Sequence, residues 1–303
     1  MKITTYANFL ENQEVRKNDI VLYAADTPNS WKVASVLEEL KVEYDVKLVD
    51  LSKDEQKDSE YLKLNPNGRT PTLLDYSNDV VEKNNGAPFA VFESGAIMMY
   101  LTDKFSDNNL YPYNDPFLRS EIQQWLFFQV SGIGPAIGNC MYFKRIAAPI
   151  TSDISKLEFS IKRFENESIR LLTVLNDRLN GRDFLCGKGK GSFTLADIAC
   201  YGYAASYWWA GIDLKGHNLL NVLRWLTLLG EKKSIKEGCL VPGVSNFGAK
   251  GPIFEKMRVD LDLQSRIELH AKDNSRQFFG WKDLSHMFAD SSDNIPFSTH
   301  VCK

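Results

Sequence analysis

Residues 19–25, Asp-Ile-Val-Leu-Tyr-Ala-Ala, are apolar after the first position, which predicts a short buried strand. From Thr27 to Leu40 the period changes. Trp31, Val33, Ala34, Val36, Leu37 and Leu40 fall on one face at helical spacing. "EYDVKLVDL" then alternates and is β-branched, as a second strand requires. A helix between two strands predicts a right-handed βαβ unit. A short helical piece at Glu60–Leu64 comes next. "TPTLLDY" and "FAVFES" follow as two strands joined by the polar loop "SNDVVEKNNGAP", whose Asn, Gly and Pro suit a hairpin connection. "SGAIMMYLTDKF" returns to helical periodicity.

The order β-α-β-(α)-β-β-α is a thioredoxin-like arrangement. Beyond the turn-rich "SDNNLYPYNDP" the pattern is helical almost throughout. "RSEIQQWLFFQVSGIGPAIGNCMYFKRI" predicts a helix kinked near Gly132-Ile133-Gly134-Pro135. "ISKLEFSIKRFENESIRLLTVLNDRL" predicts a long amphipathic helix. In "FTLADIACYGYAASYWW", Thr194 and Asp197 have the spacing of a capping box, a structural feature that needs no ligand. The fold class is therefore α/β plus all-α: an N-terminal thioredoxin-like domain with a mixed sheet, then an all-helical C-terminal domain. The expected boundaries are an N-terminal extension at 1–19, the thioredoxin-like domain at 20–105, a linker at 106–115, the helical domain at 116–271 and a C-terminal extension at 272–303. That last segment is polar and mixed, and reads as partly disordered or draped on the surface.

Composition narrows the partners. A net charge of −3, with 44% hydrophobic and 25% charged residues, is ordinary for a globular protein and gives no reason to expect nucleic acid or a membrane surface. No apolar run is long enough to span a bilayer, and the N-terminus lacks the apolar core of a signal peptide. The five cysteines are scattered, without a C-x-x-C pair, which predicts reduced thiols in a cytoplasmic setting. The four histidines lack metal-site spacing, so no metal is expected. "GKGKG" at Gly187–Gly191 is too short for a phosphate loop and reads as a flexible one.

Three places carry chemistry. In the first, Thr27 suits an N-cap and Pro28 the first helical position, which leaves Asn29 and Ser30 at the positive end of a helix, where anions bind. The second is "NPNGRTPTLLD", where Pro71 directly before a strand suits a cis peptide bond. In a thioredoxin-like domain such a proline exposes the backbone of Thr70 to strand-like pairing with an extended peptide. The third is Glu93-Ser94 at a strand-to-helix junction, an acceptor for an ammonium group beside donors for a carboxylate. A thiol site, a peptide-backbone site and an amino-acid site together have the shape of glutathione.

The chain resembles a glutathione transferase. "NPNGRTPTLLD", "FESGAIMMYL" and "FTLADIA" match what that family carries, and "TPNSWKVASVLEEL" with "WLFFQVSGIGPAIG" is similar to the nu-class bacterial enzymes and to the transferase-like domain of the fungal nitrogen regulator known as a prion. The match covers roughly Ile20 to Lys256. The resemblance implies that Asn29 and Thr27 meet the glutathione sulfur. Gln56 meets the glycyl end with Lys57 beside it. Arg69 and Thr70, ahead of cis-Pro71, meet the cysteinyl backbone, and Glu93 and Ser94 meet the γ-glutamyl end. The chain departs from the better-known classes in lacking a usable catalytic Tyr, Ser or Cys in the turn itself; Ser30 lies one residue past the Asn.

The function implied is activation of glutathione, a co-substrate, as a thiolate that attacks a hydrophobic electrophile or a disulfide. The alternatives are a disulfide-bond reductase using two glutathiones, and a non-catalytic regulator that keeps the fold. A cytoplasmic homodimer is implied as well. Phe128, Met141 and Tyr142 suit either a pocket above the thiol or interhelical packing. The cluster of Tyr201, Tyr203, Tyr207, Trp208 and Trp209 suits a core.

Overall fold

The computed structural model describes residues 3–5, 16–105, 109–148 and 151–242. They fall into two compact units. The first holds the chain up to Asn108 together with the segment from Lys232, and the second holds Asn109–Glu231. The expected C-terminal extension lies outside the described residues.

The first unit is built on strands β1 (Ile3–Thr5), β2 (Ile20–Ala24), β3 (Tyr44–Leu48), β4 (Thr72–Asp75) and β5 (Phe89–Phe92), in the order β1-β3-β2-β4-β5. β3 runs parallel to both β1 and β2, while β4 is antiparallel to β2 and to β5. The sheet is mixed, as expected. Helix α1 (Pro28–Leu40) connects β2 to β3, α2 (Ser59–Leu64) precedes β4, and α4 (Ser94–Lys104) follows β5. β2 is buried along its whole length because the sheet is covered on both faces. Val21, Tyr23 and Leu74 pack with Val49 and with Tyr61 of α2.

Three features differ from the sequence expectation. Part of the 1–19 extension joins the sheet, since Ile3–Thr5 pairs with Val46, Lys47 and Leu48 along the edge of β3. The loop between β4 and β5 contains a helix, α3 (Asn78–Lys83). Asp79 in its first turn and Lys83 in its last suit the helix dipole, but six residues are too few to display a period. Finally, α10 (Lys233–Gly238) packs on α1 in the first unit rather than continuing the second. Gly238 makes this possible, because a Cβ there would overlap the backbone and side chain of Ser35, and the Ser234 hydroxyl donates to the Glu39 carboxylate.

The described part of the second unit holds helices α5 (Pro116–Phe128), α6 (Gly134–Met141), α7 (Ser155–Arg178), α8 (Leu195–Ala205) and α9 (Leu220–Gly230). Asp115 caps α5 by accepting from the Leu118 N–H at 2.9 Å. Between α5 and α6 the chain stays helical, with π-helical turns over Gln129–Ile133. The wide turn lies just ahead of Pro135, which has no N–H to give and whose ring would press on the carbonyl four residues back. A second π-helical segment, Tyr142–Ala147, carries buried Lys144. Its ammonium donates to Glu165 at 2.6 Å and to the Ala210 carbonyl at 2.9 Å, so the buried charge is paired.

The capping box of α8 forms, with Asp197 Oδ2 accepting from the Thr194 N–H at 3.0 Å. Asp197 Oδ1 also accepts from the Leu185 N–H and from the Trp225 indole, at 3.0 and 3.1 Å. The glycine-rich loop is tied down: Arg182 donates to the carbonyls of Gly187 and Gly189, and Glu121 accepts from the Gly187 N–H.

Candidate functional site

Strand register brings the three chemical segments together. Tyr23 of β2 pairs with Thr72 of β4, and Thr72 pairs with Phe92 of β5. Neighbouring strands lie about 4.8 Å apart. The turn after β2, the residues just before β4 and the junction just after β5 therefore emerge at one end of the sheet.

The turn is closed by hydroxyls. Thr27 has extended backbone angles, φ −142° and ψ 151°, and caps α1 through its Oγ1, which accepts from the Ser30 N–H at 3.4 Å. Pro28 occupies the first helical position. Ser30 Oγ lies 3.2 Å from Thr27 Oγ1 and accepts from the Ala25 N–H at 3.3 Å. Ahead of the cap, buried Asp26 accepts from the Trp31 indole at 3.0 Å. Asn29, the second residue of the helix, is partly buried.

The segment before β4 is held by an internal network. The Thr70–Pro71 bond is cis. The Arg69 carbonyl accepts from the Tyr61 hydroxyl at 2.8 Å and from Asn65 Nδ2 at 2.7 Å, and both side chains also bond to Thr72 Oγ1. Burial pushes the Tyr61 pKa up, which keeps its hydroxyl a donor. From the short 3-10 turn Glu55–Lys57, Lys57 reaches the same segment, whereas the Gln56 side chain donates to Asp54 Oδ1 at 3.2 Å. Lys57 Nζ donates to the Asn67 carbonyl at 3.4 Å. At Gly68, φ is +60°, and a Cβ would come within 2.9 Å of both the Gln56 carbonyl and Lys57 Nζ.

At the third segment Glu93 sits at φ 69°, exposed, and Ser94 is the buried first residue of α4. Glu93 Oε1 accepts from Asn67 Nδ2 at 3.3 Å. The sequence reading assigned no role to Tyr61, Asn65 or Asn67. The local signal for Asn65 and Asn67 is the turn-forming Asn-Pro-Asn-Gly run, and Tyr61 lies outside it.

The protein's own described thiols are poor nucleophiles. Cys140, Cys186, Cys200 and Cys239 are buried and in no disulfide. Burial pushes Cys140 up to about 11 and Cys186 up to about 12, and Cys239 rises as well. Of the residues with two readings in the second unit, Met141 is fully buried, as interhelical packing requires, while Phe128 is half-buried and packs edge-on against Trp125 of its own helix at 5.4 Å. Tyr142 is 36% exposed. Tyr201, Tyr203, Tyr207, Trp208 and Trp209 are buried, as a core requires.

A mixed sheet with a capped helix after its second strand, a cis-proline before the fourth and a helix start after the fifth defines a thioredoxin-like ligand-binding unit. Residues 27–104 match the N-terminal domain model of glutathione S-transferase. The disulfide-bond oxidoreductase YfcG of Escherichia coli is 37% identical over 195 residues, 64% of this chain and 83% of that protein. A glutathione transferase from Burkholderia graminis, solved with two glutathione molecules bound per subunit, is 32% identical with a TM-score of 0.65, covering 74% of this chain and 89% of that one. Ure2p in complex with glutathione is 27% identical with a TM-score of 0.63, covering 73% of this chain and 98% of that one. The chain belongs to the glutathione S-transferase family, in its Ure2p-like group.

Proposed function

We propose that the chain binds glutathione along this end of the sheet and uses it as the reacting thiol against a disulfide substrate. One observation carries the reading: the turn at the α1 N-terminus presents the Thr27 hydroxyl and the Asn29 side chain but no cysteine, and every described cysteine is buried. A thiol reacting at this turn comes from a bound molecule. Its pKa of about 8.5 falls at a helix N-terminus with hydrogen-bond donors. In this reading Thr27 and Asn29 hold the sulfur. Gln56 and Lys57 hold the glycyl carboxylate, Arg69 and Thr70 align the cysteinyl backbone, and Glu93 and Ser94 hold the γ-glutamyl end.

The bound thiolate attacks one sulfur of the substrate disulfide. A mixed disulfide forms, and the other sulfur leaves as a thiolate that takes up a proton. A second glutathione thiolate then attacks the mixed disulfide, which releases glutathione disulfide and the second substrate thiol. Similarity to YfcG and to a second E. coli disulfide-bond oxidoreductase, YghU, supports this reaction over conjugation. So does the neighbour solved with glutathione disulfide bound. Described cysteines that form no disulfide suit a reducing cytoplasm.

The second reading, conjugation to an electrophile, uses the same thiolate. Steady-state assays with hydroxyethyl disulfide and with a chloronitrobenzene compare the two. Faster turnover of the disulfide supports the proposal, and turnover of the electrophile alone supports the second reading. No glutathione-dependent turnover of either supports a non-catalytic regulator.

A further inference from the structure

We infer that Ser30 fixes the direction of the Thr27 hydroxyl, so that Thr27 can only donate a hydrogen bond to the sulfur at the turn. The inference rests on the reading of this turn as the thiol site. Ser30 is 0% exposed. Its Oγ accepts from the Ala25 N–H at 3.3 Å and lies 3.2 Å from Thr27 Oγ1, a pair in which either hydroxyl can donate.

Burial decides the direction. If Thr27 donated, the buried Ser30 proton would have no acceptor, which costs more than an ordinary hydrogen bond contributes. With Ser30 as donor, its proton is used and its oxygen still accepts from Ala25. Thr27 Oγ1 then accepts twice, from the Ser30 hydroxyl and from the Ser30 N–H at 3.4 Å. Its lone pairs are occupied, and its own proton is left to point outward. Thr27 is 6% exposed, so this proton has a route to a ligand that Ser30 lacks.

A hydroxyl in this state discriminates between the two forms of a thiol. A thiolate accepts its proton. A neutral thiol finds no acceptor there for its S–H. The Ser30 donation also polarises the Thr27 O–H, which strengthens it as a donor. Ser30 touches no substrate itself, so it is a positioning residue, and its effect reaches the sulfur only through Thr27.

The test titrates the thiol of protein-bound glutathione by the ultraviolet absorbance of the thiolate, alongside a pH–rate profile with hydroxyethyl disulfide. Ser30→Ala returns a free lone pair to Thr27. The bound-thiol pKa should rise, and turnover near neutral pH should fall about fivefold, the effect of one ordinary hydrogen bond. In Thr27→Val protein, adding Ser30→Ala should shift the pKa no further. Ser30→Gly provides the same comparison if the alanine variant does not fold. An unchanged pKa without the Ser30 hydroxyl overturns the inference, and so does an equal shift in Thr27→Val protein. Calorimetry separates the underlying reading: wild-type protein that binds no glutathione overturns the site assignment itself.

Discussion

Glu93 Oε1 accepts a hydrogen bond from Asn67 Nδ2 at 3.3 Å, so the junction after β5 is tied to the loop before β4. The link pre-orients one carboxylate oxygen and leaves the other available to an ammonium group. Glu93→Ala should weaken glutathione binding on the order of tenfold, about 1.4 kcal/mol, the scale of one charged hydrogen bond. Because Glu93 is exposed, the melting temperature should barely move. Calorimetry that finds unchanged affinity would remove Glu93 from the site.

Asn29 separates ligand binding from helix capping at the turn. Asn29→Ala leaves Thr27 as the cap and Pro28 in the first turn, so a thermal melt should change little. Turnover near neutral pH should drop about tenfold, as 1.4 kcal/mol in the barrier predicts. Thr27→Ala should do both, with about 1 kcal/mol of stability lost with the cap. A pH–rate profile for Asn29→Ala that overlays the wild type would leave thiolate stabilisation to Thr27 and the backbone amides.

What the sequence disclosed follows from the range of the interactions. Thr27 and Pro28, and Thr194 with Asp197, act within one helical turn, so the caps of α1 and α8 are visible as local patterns. Segments with a clear period, such as α1 and α7, were equally legible. Interactions across many residues left no such mark. Nothing near Gly238 announces that it lies against Ser35, and nothing near Tyr61 or Asn65 shows that both bond to the Arg69 carbonyl. Three residues at Ile3–Thr5 and six in α3 are too few for a period to emerge. The role of Ser30 depends on its burial and on the Thr27 hydroxyl 3.2 Å away, and a sequence states neither the burial nor the distance.

Asp197 should leave a signature in stability against pH. Burial pushes its carboxyl up to about 6, against hydrogen bonds from Leu185, Thr194 and Trp225 that favour the carboxylate. In the unfolded chain the value is about 3.9. The folded state therefore holds the proton more tightly. The stability this gives is fully present below about pH 3.9 and is lost as pH rises through about 6. Urea midpoints taken between pH 4 and 7 should fall for the wild type relative to Asp197→Asn. A wild type that instead gains on the variant as pH rises would place the folded pKa below the unfolded one.

A homodimer is proposed from the family resemblance. Sedimentation at micromolar concentration should give a species near twice the 34.5 kDa chain. A single 34.5 kDa boundary across that range would count against it.

The central claim is that the reacting thiol belongs to glutathione and not to the protein. The direct measurement is the glutathione-dependent reduction of hydroxyethyl disulfide after the intact protein has been alkylated with iodoacetamide and freed of reagent. The described cysteines are buried, and Cys140 and Cys186 are held well above the ordinary thiol range, so they should neither react with the reagent nor be needed. The alkylated protein should turn over at the untreated rate and show no activity without glutathione. Loss of activity on alkylation, or reduction that proceeds without glutathione on a protein thiol, would contradict the account.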